Sequence, residues 1–295
     1  MSDAPDKKQA WSDYWRGQPG GCLPASASSS LDAAFRGEWR RIASGLPADA
    51  QVLDLATGDG VVLRWLAEVR SDLALIGVDL AEPLPLPPPG ITTRGGVAME
   101  SLPFEAASFD AVVSQFGFEY GEPQRCAAEV SRVLRRGGTL TLVTHHADGP
   151  IVAHNRQRAA ELGWALGDAG LIERARAADQ SQNRRDVERA PDLAIARFGK
   201  GSAGWQIAEA IARVVRGAGV AIDSRGRTML DQLERMARGE LQRIDALEHA
   251  SAAASESGRL RTSLEAHELA LGESHPIIHA ADGLTVANFW SFTRR

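Results

Sequence analysis

Three groups of residues in this chain have types and spacings that could do chemistry. The first is Val52-Leu53-Asp54-Leu55-Ala56-Thr57-Gly58-Asp59-Gly60, where carboxylates stand before and within a loop carrying two glycines. An apolar run enters this loop and helical periodicity leaves it from Val61 to Leu66, the pattern of a strand–turn–helix opening a βαβ unit. The second is Asp79, which closes the next apolar run over 73–78. The third is spread over two later strand ends: Ser114, Gln115, Glu119 and Tyr120 after one, His145 and His146 after the other. An imidazole titrates near neutral pH, so His145 is a candidate general base, against a structural or solvent-facing role. Glu119 and Tyr120 are candidate substrate contacts, against packing or capping.

The acids decide what the glycine loop can hold. A dinucleotide turn of the form G-x-G-x-x-G needs a third glycine, and Leu63 stands there. A phosphate-binding P-loop needs a following Gly-Lys-Ser/Thr, which is missing. Asp54 and Asp59 would also repel a pyrophosphate at short range in a partly desolvated pocket. A cation suits them better, and S-adenosylmethionine carries both an ammonium and a sulfonium.

These elements must be positioned by the rest of the chain. Leu31, Phe35, Trp39 and Ile42 recur at helical spacing over 31–46. Strands are expected at 51–55, 73–78, within 91–98, at 111–115 and at 139–144, with helices from the glycine loop to about Val69 and over 123–136. Gly137-Gly138 is expected to stop the latter helix in the left-handed conformation. Five prolines within 82–90 exclude a normal crossover helix and predict an extended connection. From about 150 to 270 the pattern is helical, with Met229, Leu230, Leu233, Met236, Ala237, Leu241, Ile244 and Leu247 in one apolar stripe, either core or a seam between subunits. Runs at 275–280 and 284–293, joined at Asp282-Gly283, read as a closing hairpin. The fold class is thus α/β: a Rossmann-like, seven-stranded, mostly parallel sheet with a C-terminal antiparallel hairpin and a helical lid insertion. The expected divisions are an N-terminal flap and helix (1–50), a core (51–146), the insertion or lid (147–270) and the hairpin (271–295). Trp11, Tyr14 and Trp15, at i, i+3 and i+4, either staple the N-terminus to the core or cover the pocket as a flap.

In its motifs, the chain resembles class I S-adenosylmethionine-dependent methyltransferases, in the type 11-like form that acts on small molecules. Residues 52–60 resemble the first motif. Asp79 matches the acid at the second strand end. Met99-Glu100-Ser101-Leu102-Pro103-Phe104, Phe109-Asp110-Ala111-Val112-Val113-Ser114 and the segment from Glu129 to Gly138 resemble later motifs in order. The resemblance implies S-adenosylmethionine as cofactor. Ala56, Thr57, Gly58 and Gly60 would pass close to the methionine moiety, Asp54 would hold its ammonium, Asp79 with Leu80 would take the ribose, Met99 and Glu100 the adenine, and Ser114 and Gln115 would line the site. Ala98 departs from the family, which often has Asp or Asn there for the adenine amino group; a backbone oxygen, water or Glu100 must substitute. The implied reaction is methyl transfer to a small-molecule acceptor by in-line displacement at the carboxyl ends of the strands. The alternatives are a methyltransferase acting on tRNA or protein, and a catalytically silent cofactor-binding scaffold.

Composition narrows the partners. The 295 residues carry a net charge of −5, with 24% charged and 44% hydrophobic residues, which suggests no nucleic-acid partner. Arg156, Arg158, Arg184 and Arg185 are candidate contacts for an acidic substrate or, alternatively, solvated surface. Cys22 and Cys126 are too few for a disulfide framework, and no His, Asp or Glu cluster has metal-ligand spacing, so no metal is expected. No run is long and apolar enough for a transmembrane helix, and no signal-peptide core is present, so the expectation is a cytoplasmic protein without a membrane partner. A homodimer formed through the helical insertion is a further expectation.

Overall fold

The structure, a computed structural model, describes residues 7–17, 28–87, 89–255 and 257–295. Cys22 and the Gly/Ser/Ala-rich stretch around it lie outside the described residues. Seven strands form one sheet in the order β3-β2-β1-β4-β5-β7-β6. In chain order, α1 (Lys7–Gly17) and α2 (Ser28–Gly45) precede β1 (Gln51–Leu55), α3 (Val61–Ala67), β2 (Ala74–Val78), β3 (Thr92–Arg94) and β4 (Phe109–Gln115). A 3-10 turn (Phe118–Tyr120) leads to α4 (Pro123–Val133) and β5 (Leu134–His145). Helices α5 (Pro150–Gly163), α6 (Leu171–Arg176), α7 (Ser181–Phe198), α8 (Ala203–Gly217), α9 (Ser224–Ser255) and α10 (Ser257–Ala266) follow, then β6 (Leu269–Ile278) and β7 (Thr285–Arg294).

Strands β1 to β5 pair in parallel, while β7 runs antiparallel to both β5 and β6. The period-2 alternation of strand side chains sorts the core into two layers. Val52, Ala111, Val113 and Val143 pack with Leu31, Phe35 and Trp39 of α2 and Val62, Leu63 and Leu66 of α3. Leu53, Leu55, Val112, Leu140 and Leu142 point the other way, onto Ala127, Val130 and Val133 of α4 and Leu260 and Leu264 of α10. After β1 the chain moves toward β3; from β4 it moves toward β7. The topological switch therefore lies between β1 and β4, where open α/β sheets hold ligands beyond their strand ends.

Three details differ from the sequence expectation. Helix α4 ends at Val133, and Gly137-Gly138 lies within β5 rather than stopping the helix. Leu134 pairs with Phe109 and Thr139 with Ala111, so 135–138 loop out beside β4. There a Cβ at Gly138 would come within 3.0 Å of the Asp110 carbonyl. Strand β6 begins at Leu269, earlier than residue 275, because pairing with β7 overrides the weak strand propensity of Ala-Leu-Gly. Met229 and Met236 are exposed at 44% and 72%, whereas Leu230, Ala237, Ile244 and Leu247 of the same helix are buried. The buried stripe is thus narrower than the apolar pattern of α9, and the two Met side chains flank it.

Two compact units divide the chain: residues 1–152 with 246–295, and residues 153–245. The second is an all-helical body with its own core, in which Ile172 and Ala175 of α6, Val187 and Ala194 of α7, Ile207, Ile211 and Val215 of α8 and Leu230 of α9 are buried together. Of the arginines within it, Arg184 donates to the carbonyls of Val215 and Gly219 near the end of α8, and Arg158 pairs with Glu240.

Candidate active site

The loop after β1 is built from positive-φ residues. Ala56, Gly58 and Gly60 stand at φ 56°, 53° and 74°, which turns the chain sharply and leaves Gly60 as the residue preceding α3. For Ala56 this left-handed conformation carries a steric cost that glycine would not have. Thr57 ties the loop down twice. Its N–H donates to the Val78 carbonyl at 3.0 Å, and its hydroxyl donates to Asp54 Oδ2 at 2.7 Å. That packing requires glycine on the neighbouring strand, because a Cβ at Gly77 would stand 2.4 Å from the Thr57 hydroxyl.

Asp54 and Asp79 end adjacent strands and are both buried. Asp79 accepts from the Gly58 N–H at 2.9 Å with one oxygen and from the Ala81 N–H at 2.8 Å with the other. Asp54 uses Oδ2 on Thr57, while its Oδ1 is buried with no hydrogen-bond partner. Burial pushes the Asp54 pKa up to about 8; the Thr57 hydrogen bond opposes this, and the charges of Asp79 and Asp59 add to it. Burial likewise raises Asp79, against the three backbone N–H donors that favour its ionised form. A buried carboxylate with an unused oxygen, beside a second carboxylate, is a ready acceptor for a cationic donor. Asp59 instead caps its own loop, accepting from the Val61 N–H at 3.2 Å.

Beyond β2, Leu80 is half-buried and the Val97 N–H donates to the Asp79 carbonyl at 2.8 Å, which brings the 97–104 segment beside the acid. A Cβ at Gly121 would meet the Met99 sulfur at 2.9 Å, so Met99 packs against the chain just after the 3-10 turn. Glu100 accepts from the Glu122 N–H at 3.0 Å, and the Ala98 carbonyl from the Ser101 N–H at 3.1 Å. Glu129 accepts from the Leu102 N–H, and Arg132 donates to the Leu102 and Phe104 carbonyls, clamping this loop onto α4.

The ends of β4 and β5 bring the remaining candidates together. Ser114 and Gln115 face structural duties: the Ser114 hydroxyl donates to the Leu55 carbonyl and accepts from the Phe118 N–H, and Gln115 Oε1 accepts from Trp39 Nε1 at 2.7 Å. Phe116, at φ 56°, then redirects the chain into the 3-10 turn. From that turn Glu119 Oε1 reaches His145, facing Nδ1 at 2.8 Å and accepting from its backbone N–H at 3.0 Å. Both side chains are at least 96% buried, and Glu119 Oε2 has no hydrogen-bond partner. Phe116 stacks on the imidazole at 4.2 Å, and Tyr120 meets it edge-on at 6.1 Å. With Nδ1–H donated to a carboxylate, Nε2 is left as the acceptor nitrogen, the arrangement a general base requires. No spacing in the sequence announces this pairing, since 26 residues separate the partners. Phe116 carried no signal of its own in the sequence, and the two readings of the aromatics at 11, 14 and 15, staple or flap, did not single out Gly58 as the neighbour of Trp15. Among the described residues, no group of three His, Cys, Asp or Glu is placed to hold a metal, and no helix is long and apolar enough to cross a membrane.

Part of the chain is similar to known proteins. Residues 53–142 match the family model of the methyltransferase domain. A demethylmenaquinone methyltransferase of Thermus thermophilus is 32% identical over 116 residues, 36% of this chain and 53% of the relative. A demethylmenaquinone methyltransferase of Thermotoga maritima is 35% identical over 98 residues, 32% of this chain and 42% of the relative. The chain therefore spans about half the length of the curated relatives it matches. Among solved structures, an S-adenosylmethionine-dependent methyltransferase from Mesorhizobium loti superposes with a TM-score of 0.44 at 16% identity, covering 90% of this chain and 100% of that one. The matched segment contains both buried acids, the glycine loop and the switch point between β1 and β4. Over residues 53–142, the chain therefore carries a segment that matches a methyltransferase domain.

Proposed function

We propose that the chain transfers the methyl group of S-adenosylmethionine to a small-molecule acceptor. The observation that carries the cofactor side is the buried, unpartnered Oδ1 of Asp54 beside Asp79 at the tips of β1 and β2. Asp54 would hold the ammonium group and Asp79 a ribose hydroxyl, with Ala56, Thr57, Gly58 and Gly60 presenting backbone to the methionine moiety, and Leu80, Met99 and Glu100 on the adenine side. Bound there, S-adenosylmethionine supplies an electrophilic methyl carried on a sulfonium with a good thioether leaving group. The chain's own contribution is to orient an acceptor and take its proton. His145 Nε2 is the base, Glu119 holds the imidazole through Nδ1, and Tyr120 and Phe116 flank it. A small acceptor is supported by the quinone-methylating relatives and by a net charge of −5, which disfavours tRNA.

Calorimetry with S-adenosylmethionine and with NADH tests the cofactor: the first should bind and the second should not. Asp79→Ala should weaken S-adenosylmethionine at least tenfold, and an unchanged affinity would remove the ribose role. Labelled methyl groups should then pass to a metabolite extract rather than to tRNA or protein. Labelling of a macromolecular pool would replace the small-molecule reading, and binding without transfer to any pool would favour a silent scaffold. With the labelled acceptor in hand, His145→Asn should lower kcat about 10²-fold.

A further inference from the structure

Helix α1 lies across the glycine loop. Gly58 has φ 53°, and a Cβ built on it would fall 2.1 Å from Cζ2, 2.5 Å from Cη2 and 2.9 Å from Cε2 of Trp15. Glycine at such a turn clears space for a ligand to approach the backbone. In this structure the indole of Trp15 fills that space. The helix is also held on both sides of the loop. Toward β2, the Ser12 hydroxyl accepts from the Glu82 N–H at 3.0 Å, and Lys8 pairs with Glu82 at 2.8 Å. Toward the 3-10 turn, Trp11 meets Tyr120 edge-on at 5.2 Å, and Tyr14 meets both Trp11 and Trp15 edge-on. Tyr120 is the residue that flanks His145. One short helix therefore touches both the loop assigned to the cofactor and the wall assigned to the acceptor.

These fastenings are suited to release. The Lys8–Glu82 pair has both partners about half exposed, and exposed pairs are weak and screened by salt. The other contacts named above are one hydrogen bond and ring edges. Gly58, in contrast, is fixed from below by its N–H on Asp79 and cannot retreat from the indole without losing that bond. When a ligand needs this face, the helix is the part that can yield.

We propose that α1 is a gate on the cofactor site, with Trp15 and S-adenosylmethionine competing for the open side of Gly58. The proposal rests on the cofactor reading above and adds to it an opening step before binding. Stopped-flow binding of S-adenosylhomocysteine to the full chain tests it. Trp15→Ala should raise the association rate about tenfold without weakening equilibrium binding, and Lys8→Ala should raise it by a smaller factor that vanishes at high salt. Circular dichroism would verify that both variants fold; Lys8→Ala, being on the surface, keeps the test available if Trp15→Ala does not. Unchanged association rates in both variants would overturn the gate. So would weaker binding of Trp15→Ala through faster dissociation, which would make Trp15 a wall of the pocket. Failure of the wild-type chain and both variants to bind S-adenosylhomocysteine at all would overturn the cofactor assignment itself, and the gate with it.

Discussion

Asp54 combines the two properties that a cation site in a protein interior requires, a carboxylate and a reason for it to remain unsatisfied. Its pKa of about 8 means that near neutral pH it is largely protonated before a ligand arrives. A bound ammonium favours the ionised form, so binding must release a proton. Affinity for S-adenosylmethionine should therefore rise with pH up to about 8 and level off above it, by up to tenfold per pH unit. Calorimetry in buffers of different ionisation enthalpy would register the released proton. The same shift acts on stability. A carboxyl whose pKa is raised on folding stabilises the fold fully below the unfolded value near 3.9, and that contribution is lost as pH rises through about 8. Asp54→Asn should thus gain in melting temperature relative to wild type at pH 8.5, by about 2–4 °C for each kcal/mol relieved, and gain nothing near pH 4. The acid itself was legible in the sequence as the strand-closing residue of a glycine loop. Its unpaired oxygen was not, because which oxygen Thr57 takes depends on the positive φ of Ala56.

At the scale of elements, the loop depends on its neighbours in the sheet more than on its own glycines. Thr57 can reach Asp54 only because β2 offers Gly77 opposite, and β4 continues into Gly117, where a Cβ would stand 2.3 Å from that of Ala56. Gly77→Ala should force Thr57 away from Asp54, costing about 1–3 kcal/mol of stability in chemical denaturation and lowering cofactor affinity together. A loss of stability with affinity intact would show that the Thr57 hydroxyl does not orient the acid. The strands themselves were readable from apolar runs and their alternation, and the proline-rich stretch after β2 from its inability to form a helix. The end of α4 was misread because Gly137-Gly138 satisfies the local grammar of a helix stop, whereas pairing with β4 starts the strand five residues sooner.

The molecule contains two separately cored units, and the candidate cofactor contacts lie with Glu119, Tyr120 and His145 in one of them. Separate cores permit separate unfolding transitions. In scanning calorimetry, S-adenosylhomocysteine should raise the transition of the unit that contains β1 and β2 and leave the other in place. Arg184→Ala removes donors to the Val215 and Gly219 carbonyls, and should lower the transition of the helical unit by about 1–3 kcal/mol without changing cofactor affinity. Reduced affinity in that variant would reveal coupling between the two units.

The sequence alone determined the ligand class of the loop, because charge and glycine count are local properties: acids at 54 and 59 and a leucine at 63 exclude a pyrophosphate wherever the loop sits. It determined the alternation of strands and helices for the same reason. Only the tertiary structure decided that Glu119 meets His145, that Ser114 and Gln115 turn to Leu55, Phe118 and Trp39, and that Trp15 lies on Gly58. Each of these depends on which strand ends and helices become neighbours in the folded chain, and a pairing made across 26 or 43 residues leaves no periodic trace along it.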